Sequence, residues 1–260
     1  MLLSHEKKFI FLKTTKTAGT SLEFALAPQL DKKAIITPQA GEEYPEQPYA
    51  RVTWAKPRWI LHEAIRAAFA KRTRVFLDHL IRDLLGRKGP VRNDQIAIEF
   101  DHISALRTRD FIGEARFNDY FKVAVCRNPY DQIVSLYFWR MYERSKRVPR
   151  QPLISFDEWL ANSPTDLYLN RSIISIDGEL AVDFVIRYEH LNDDLKTLCA
   201  KFNFDFEEVV RVMDTKRSKS GQRPKGEAGS RKVIIGPESK AAIDFFMDWD
   251  FRTFGYEKVL

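Results

Sequence analysis

Two short apolar segments, each leading through a turn into a helical pattern, constrain the fold of this chain more than any other feature. The first is Phe9–Leu12, which has lysines on both sides, and the second is Phe121–Cys126. Apolar runs of this length are typical of strands buried on both faces, as in a parallel sheet. A third strand pattern covers residues 182–188, where apolar residues alternate. Strands alternating with helices predict an α/β fold, with a mainly parallel sheet flanked by helices.

The composition indicates a single folded domain of 260 residues, since 19 Phe, 9 Tyr and 5 Trp supply ample apolar surface to bury. We expect residues 31–92 to form a loop followed by a helical insertion. Residues 31–56 lack periodicity, and leucines at helical spacing then follow within a basic stretch at 51–92. Residues 211–232 combine basic residues with glycines, which predicts a basic, mobile loop.

The charge balance favours an anionic partner, because 42 Lys and Arg outnumber 36 Asp and Glu and the net charge is +6. Nucleic acid, nucleotide and anionic glycan all fit that excess. The N-terminal apolar run is too short for a signal peptide and no segment has the length of a membrane span, so we expect a cytoplasmic protein. Cys126 and Cys199 lie in apolar surroundings, which predicts buried thiols and neither a disulfide framework nor a zinc site.

The segment after the first strand combines a lysine, a glycine and three hydroxyls, and it leads into a helix predicted from Leu22 with Ser or Thr caps. Its members are Lys16, Thr17, Ala18, Gly19, Thr20 and Ser21. Unpaired backbone N–H groups and the helix dipole at such a position favour an anion, so we expect a phosphate or sulfate there, with an ordinary capped turn as the alternative. It is not a Walker A loop, because the lysine precedes the glycine.

A second set of residues follows the strand at 121–126. Arg127 leaves the strand, Asn128 and Pro129 mark a turn, and Ser135 lies on the helix that follows. A fork-shaped cation and a hydroxyl can converge on one anion. Two such sites at separate strand ends imply a ligand with two separated anionic groups, which an ordinary 5′-nucleotide does not have.

These two segments resemble the signature loops of sulfotransferases that use 3′-phosphoadenosine 5′-phosphosulfate (PAPS), and they are most similar to the carbohydrate-type branch. Residues 101–105, 182–191 and 249–256 match further segments of the family in the same order, so the resemblance covers nearly the whole chain. The resemblance implies a P-loop-like fold. It also implies that PAPS is the co-substrate and that the family mechanism requires no metal, and the chain shows no spacing typical of a metal-ligand set.

The resemblance also assigns roles to individual residues. Residues 16–21 would hold the 5′-phosphosulfate, while Arg127 and Ser135 would bind the 3′-phosphate. Lys16 would lie beside the oxygen that bridges sulfur and phosphorus. This oxygen gains negative charge as the S–O bond breaks, so a preorganised ammonium stabilises the transition state more than the ground state.

His102 is the predicted general base, since the family often has a histidine or glutamate where it can take the proton of the attacking hydroxyl. It follows the alternating residues 96–100 and precedes Ser104, a candidate helix cap. A neutral imidazole is suited to that proton transfer near neutral pH. The alternative is a histidine held only by a local hydrogen bond, with Asp101 and Glu99 as fallback bases.

The expected function is in-line transfer of the sulfonate of PAPS to an acceptor hydroxyl of a glycan or a small molecule. One alternative is a magnesium-dependent small-molecule kinase, against which the order of lysine and glycine argues. Another is a nucleic-acid-binding module that uses the basic stretches at 51–92 and 211–232. That module lacks a recognised motif and its charge is divided between two regions, so we expect a hydroxyl-bearing partner and no nucleic acid.

Overall fold

The computed structural model describes residues 1–37, 102–147, 154–215, 233 and 235–258. The strands are β1 (Leu2–Ser4), β2 (Phe9–Leu12), β3 (Ile35–Ile36), β4 (Phe121–Cys126), β5 (Ser175–Ile176), β6 (Glu179–Leu180) and β7 (Phe184–Arg187). The α-helices are α1 (Gly19–Leu26), α2 (Ala105–Ile112), α3 (Glu114–Asp119), α4 (Pro129–Arg147), α5 (Phe156–Ala161), α6 (Leu169–Ile174), α7 (Leu191–Phe202), α8 (Phe206–Thr215), α9 (Pro237–Phe246) and α10 (Asp248–Phe254). None of these helices is long and apolar enough to cross a membrane.

The main sheet has five strands in the order β3-β1-β2-β4-β7. Strands β2, β4 and β7 are parallel, with Phe11 opposite Val123 and Val123 opposite Phe184. Strand β1 runs antiparallel to both β2 and β3. The predicted α/β class is therefore confirmed, and the expected mainly parallel sheet is corrected to a mixed sheet with a parallel core. The antiparallel part arises because a short turn joins β1 directly to β2, and such a turn cannot connect parallel strands.

The central strand β2 is buried on both faces, as its uninterrupted apolar run predicts. Phe9 and Phe11 belong to a core cluster with residues of α1, α7 and α8 on one side of the sheet. Ile10 and Leu12 belong to a second cluster with residues of α2 and α6. Because neighbouring residues of a strand point to opposite faces, this division places helices on both sides of the sheet.

The predicted loops and the predicted insertion are only partly covered by the described residues. Residues 211–215 form the end of α8, so the segment predicted as a basic loop begins with a helical turn. The segment predicted as a loop from residue 31 contains β3, which pairs with β1. Most of the predicted insertion, the strand pattern at 96–100 and residues 216–232 lie outside the described residues.

Both cysteines are buried and free, as predicted. Burial raises the pKa of the Cys126 thiol to about 12 and that of Cys199 to about 11. A thiol with so high a pKa carries almost no thiolate at neutral pH, and the thiolate is the nucleophilic form. The two side chains therefore serve as small apolar groups of the core.

Candidate active site

The loop between β2 and α1, residues 13–18, has an unusual backbone. Lys16 and Ala18 have positive φ angles of 63° and 64°, whereas the intervening Thr17 is not among the positive-φ residues. Such alternation turns successive backbone N–H groups toward one side and forms a concave anion site. Helix α1 begins at Gly19, with Ala18 at its N-cap position. The predicted Ser or Thr cap is therefore wrong: the helix starts earlier, and Thr20 and Ser21 lie in its first turn.

Threonine side chains anchor the β2–α1 loop to the neighbouring strand. The Thr14 hydroxyl donates to the carbonyl of Val125 in β4 at 2.5 Å. Its oxygen lies 2.7 Å from Thr17 Oγ1, so the Thr17 hydroxyl donates to Thr14. Thr17 is fully buried and its side chain is part of the loop interior. The whole Thr17 residue, backbone included, is therefore enclosed in the loop.

Gly19 allows α1 to pack directly against the loop. A Cβ atom at this position would lie 2.9 Å from Lys13 Cγ and 3.1 Å from the carbonyl oxygen of Thr14. Lys13 cannot easily move aside, because its Nζ forms a buried ion pair with Glu23 Oε2 at 3.1 Å. The close approach of helix and loop therefore requires glycine here.

Replacing Gly19 with alanine should destabilise the protein by about 1 to 3 kcal/mol, the usual cost of forcing an extra methyl group into a packed region. Thermal or urea unfolding measures this change. Thr20→Ala, in the same helical turn but half-buried, is the matched control and should remain within about 0.5 kcal/mol of the wild type. An unchanged midpoint for Gly19→Ala would mean that the loop can move away from the helix without cost.

The Lys16 side chain extends from the β2–α1 loop toward α4. Its Nζ lies 5.8 Å from the centre of the Trp139 ring, and Cζ of Arg140 lies 5.0 Å from the same ring. A cation on an aromatic face is attracted by the ring quadrupole. Trp139 therefore helps to orient Lys16, the predicted catalytic lysine. No local spacing could have identified Trp139, because it follows Tyr137 and Phe138 in a helix rich in aromatic residues.

Arg127 lies at the carboxyl end of β4 and reaches the same loop. Its Nη1 donates to the backbone carbonyl of Lys16 at 3.4 Å. Its Cζ lies 4.3 Å from the centre of the Tyr188 ring, which stacks on the guanidinium. Tyr188 directly follows β7, the parallel neighbour of β4. Since the carboxyl ends of parallel strands meet at one edge of a sheet, this position could have been predicted from the strand pattern at 182–188.

The turn after Arg127 is held by a separate network. The Asn128 side chain accepts a hydrogen bond from the backbone N–H of Tyr130 at 3.0 Å, which caps α4. The backbone N–H of Asn128 donates to Glu189 Oε1 at 2.8 Å, and the Tyr256 hydroxyl donates to Glu189 Oε2 at 2.7 Å. Burial raises the pKa of Tyr256, so its hydroxyl keeps its proton and remains a donor. These contacts hold Arg127 where it leaves β4.

His102 contacts the β2–α1 loop at Lys13. Its Nδ1 lies 2.8 Å from the backbone carbonyl of Lys13. A carbonyl can only accept, so Nδ1 carries the hydrogen, and the neutral ring then has its lone pair on Nε2. Ser104 caps α2 by accepting from the backbone N–H of Arg107 at 3.3 Å, as predicted. The fallback bases Asp101 and Glu99 lie outside the described residues.

Five of the predicted site residues thus belong to this loop or bond to it. Lys16, Thr17 and Ala18 are part of it, and Arg127 and His102 bond to its carbonyls. Ser135 lies half-buried in α4 and makes no hydrogen bond to this loop within the described ranges. Comparison with family models, with curated proteins and with solved structures found no match to the chain. The resemblance to PAPS-dependent sulfotransferases therefore remains a prediction, and the functional conclusion depends on the geometry of the site.

Proposed function

We propose that this chain is a sulfotransferase that moves the sulfonate of PAPS to a hydroxyl of a glycan or a small molecule. One observation carries the proposal: Lys16, Arg127 and His102 meet at the β2–α1 loop, at the carboxyl ends of the parallel strands β2 and β4. Ligands of open α/β sheets bind at this edge. In this proposal the β2–α1 unit acts as a P-loop-like cradle for the 5′-phosphosulfate.

The proposed reaction assigns one step to each group. The acceptor oxygen attacks sulfur as the bond between sulfur and the 5′-phosphate oxygen breaks, and adenosine 3′,5′-bisphosphate leaves. Nε2 of His102 takes the acceptor proton, since Nδ1 is engaged by the carbonyl of Lys13. The Lys16 ammonium stabilises the charge that develops on the departing oxygen. The backbone N–H groups of Lys16 and Ala18, which flank the buried Thr17, bind the phosphate.

Arg127 is proposed to bind the 3′-phosphate together with Ser135. Tyr188 contacts the face of the guanidinium, and the planar fork of donors at its edge suits a phosphate. The sites for the 5′- and 3′-groups would then be formed by two neighbouring segments, the β2–α1 loop and the carboxyl end of β4, which the bond from Arg127 to the Lys16 carbonyl connects. This arrangement matches a nucleotide with an anion at each end of its ribose.

Thermal-shift titration with adenosine 3′,5′-bisphosphate, ADP and ATP, each with and without Mg²⁺, tests the proposal. A ligand that binds the folded state raises the unfolding temperature by mass action. We expect the bisphosphate to give the largest shift, and the shift to be independent of Mg²⁺. A magnesium-dependent preference for ATP would replace the sulfotransferase with the kinase alternative.

Replacing Arg127 with alanine should weaken binding of the bisphosphate about ten- to a hundredfold, because a charge-assisted hydrogen bond to the 3′-phosphate is lost. Binding of 5′-AMP, which lacks that phosphate, should change much less. Isothermal titration calorimetry measures both affinities. Arg211→Ala is the control, since Arg211 is exposed and pairs with Glu208 of its own helix. An equal loss of affinity for both ligands would mean that Arg127 does not bind the 3′-phosphate.

A further inference from the structure

Asn170 contacts the β2–α1 loop although nothing in the local sequence marks it. It lies in α6 and only 5% of its surface is exposed. Its Oδ1 accepts a hydrogen bond from the backbone N–H of Thr15 at 2.7 Å, and its Nδ2 donates to the carbonyl of Thr15 at 3.0 Å. One buried amide thus satisfies both backbone polar groups of a single loop residue.

These bonds fix the peptide group that precedes Lys16. The carbonyl of Thr15 and the N–H of Lys16 belong to the same peptide, and no described peptide bond is cis. In a trans peptide the C=O and N–H point in opposite directions. Because Asn170 holds the carbonyl, the Lys16 N–H is directed away from α6.

The peptide that follows Lys16 is held as well. Arg127 Nη1 donates to the Lys16 carbonyl at 3.4 Å, so the two peptide groups flanking Lys16 each bond to a side chain from a distant part of the chain. Lys16 has a φ of 63°, and a non-glycine residue keeps such a conformation only when surrounding contacts impose it. Asn170 supplies the contacts on the N-terminal side.

We propose that Asn170 is a positioning residue: it orients the Thr15–Lys16 peptide so that the loop can bind the anion at the 5′ end of the nucleotide. This inference rests on the proposed function. Asn170 does not itself touch the substrate in this proposal, because both polar atoms of its side chain are used by Thr15. Its effect should therefore be confined to ligands that carry a 5′-phosphate.

Calorimetric titration of Asn170→Ala with three nucleotides tests this role. We expect binding of adenosine 3′,5′-bisphosphate and of 5′-AMP to weaken about tenfold or more, as the loss of two hydrogen bonds predicts. Binding of 3′-AMP, which lacks the 5′-phosphate, should change by less than about twofold. Asn162→Ala is the matched control: Asn162 is exposed, and its Nδ2 bonds to the carbonyl of Glu158.

A second variant, Asn170→Asp, keeps the size of the side chain and an acceptor for the N–H of Thr15. It places an oxygen against the carbonyl of Thr15, so the loss of 5′-phosphate binding should persist although no cavity forms. If Asn170→Ala does not fold, the same titrations can be made with Asn170→Asp. Wild-type affinity of Asn170→Asp for the 5′-phosphate ligands would mean that the bond to the Thr15 carbonyl does not orient the Thr15–Lys16 peptide, and would overturn the proposal.

The remaining outcomes separate this inference from the proposed function. If the wild type binds the bisphosphate and the variants weaken 5′-AMP and 3′-AMP equally, the positioning role is wrong while the proposed function stands. If the wild type binds neither the bisphosphate nor 5′-AMP, both are overturned. Selective loss of the 5′-phosphate ligands in the two variants supports both.

Discussion

Replacing Lys16 with alanine should lower kcat about 10²- to 10³-fold, the usual effect of removing one preorganised group that stabilises developing charge. The KM for PAPS should change much less, because the ammonium matters most when the S–O bond breaks. The side chain already extends from the loop toward Trp139, so the charge is placed before the ligand arrives. Steady-state kinetics with PAPS and an accepted hydroxyl compound give both constants.

Two further variants make this result specific. Lys8 lies in the turn before β2, at the edge of the sheet opposite the candidate site, where it is exposed and pairs with Asp119. Lys8→Ala should therefore leave kcat unchanged. Lys16→Arg keeps the charge but replaces the compact ammonium by a larger planar group, so its kcat should lie between those of the wild type and Lys16→Ala. A rise in KM with an unchanged kcat would make Lys16 a binding residue.

The part of the fold that the sequence predicts is the part encoded by local pattern. The bounds of β2 and β4 agree with their apolar runs, because a strand buried on both faces must be apolar at every position. Strands β1 and β3 have three and two residues, too few for a periodic signal. The turn between β1 and β2 is local, but without a strand signal for β1 it does not predict a hairpin, and β3 pairs with β1 from a distant part of the chain. The antiparallel edge could therefore not be predicted from the sequence.

The candidate site likewise contains residues that could be predicted from the sequence and residues that could not. Lys16 and Arg127 could be chosen from the sequence because each follows a buried strand, and parallel strands bring their carboxyl ends together. His102 could be chosen from the resemblance to the sulfotransferases and from its place after the pattern at 96–100. Asn170, by contrast, lies 155 residues from Thr15 in a helix without any motif. Glu189 could have been inferred only after β7 was placed beside β4. Residues that hold a site from a distance leave no trace in local spacing.

Replacing His102 with alanine should lower the rate of sulfonate transfer about 10²- to 10⁴-fold, the range typical for loss of a general base. Binding of adenosine 3′,5′-bisphosphate should remain nearly intact, since His102 contacts the loop through the carbonyl of Lys13 and is not proposed to hold the nucleotide. Turnover and calorimetry on the same preparation measure the two effects. His5→Ala is the control, because His5 lies in the exposed turn between β1 and β2 and contacts Tyr120.

His102→Asn separates catalysis from support of the loop. An asparagine amide can take the place of Nδ1 and donate to the carbonyl of Lys13, but it has no counterpart of the Nε2 lone pair. If His102 is the base, His102→Asn should be as slow as His102→Ala. If His102 acts only through its hydrogen bond to the Lys13 carbonyl, His102→Asn should instead turn over at the wild-type rate. The wild-type rate should also fall as the pH is lowered, because only a neutral imidazole accepts a proton. Wild-type turnover in either variant would contradict the assignment and leave His102 as a structural partner of Lys13.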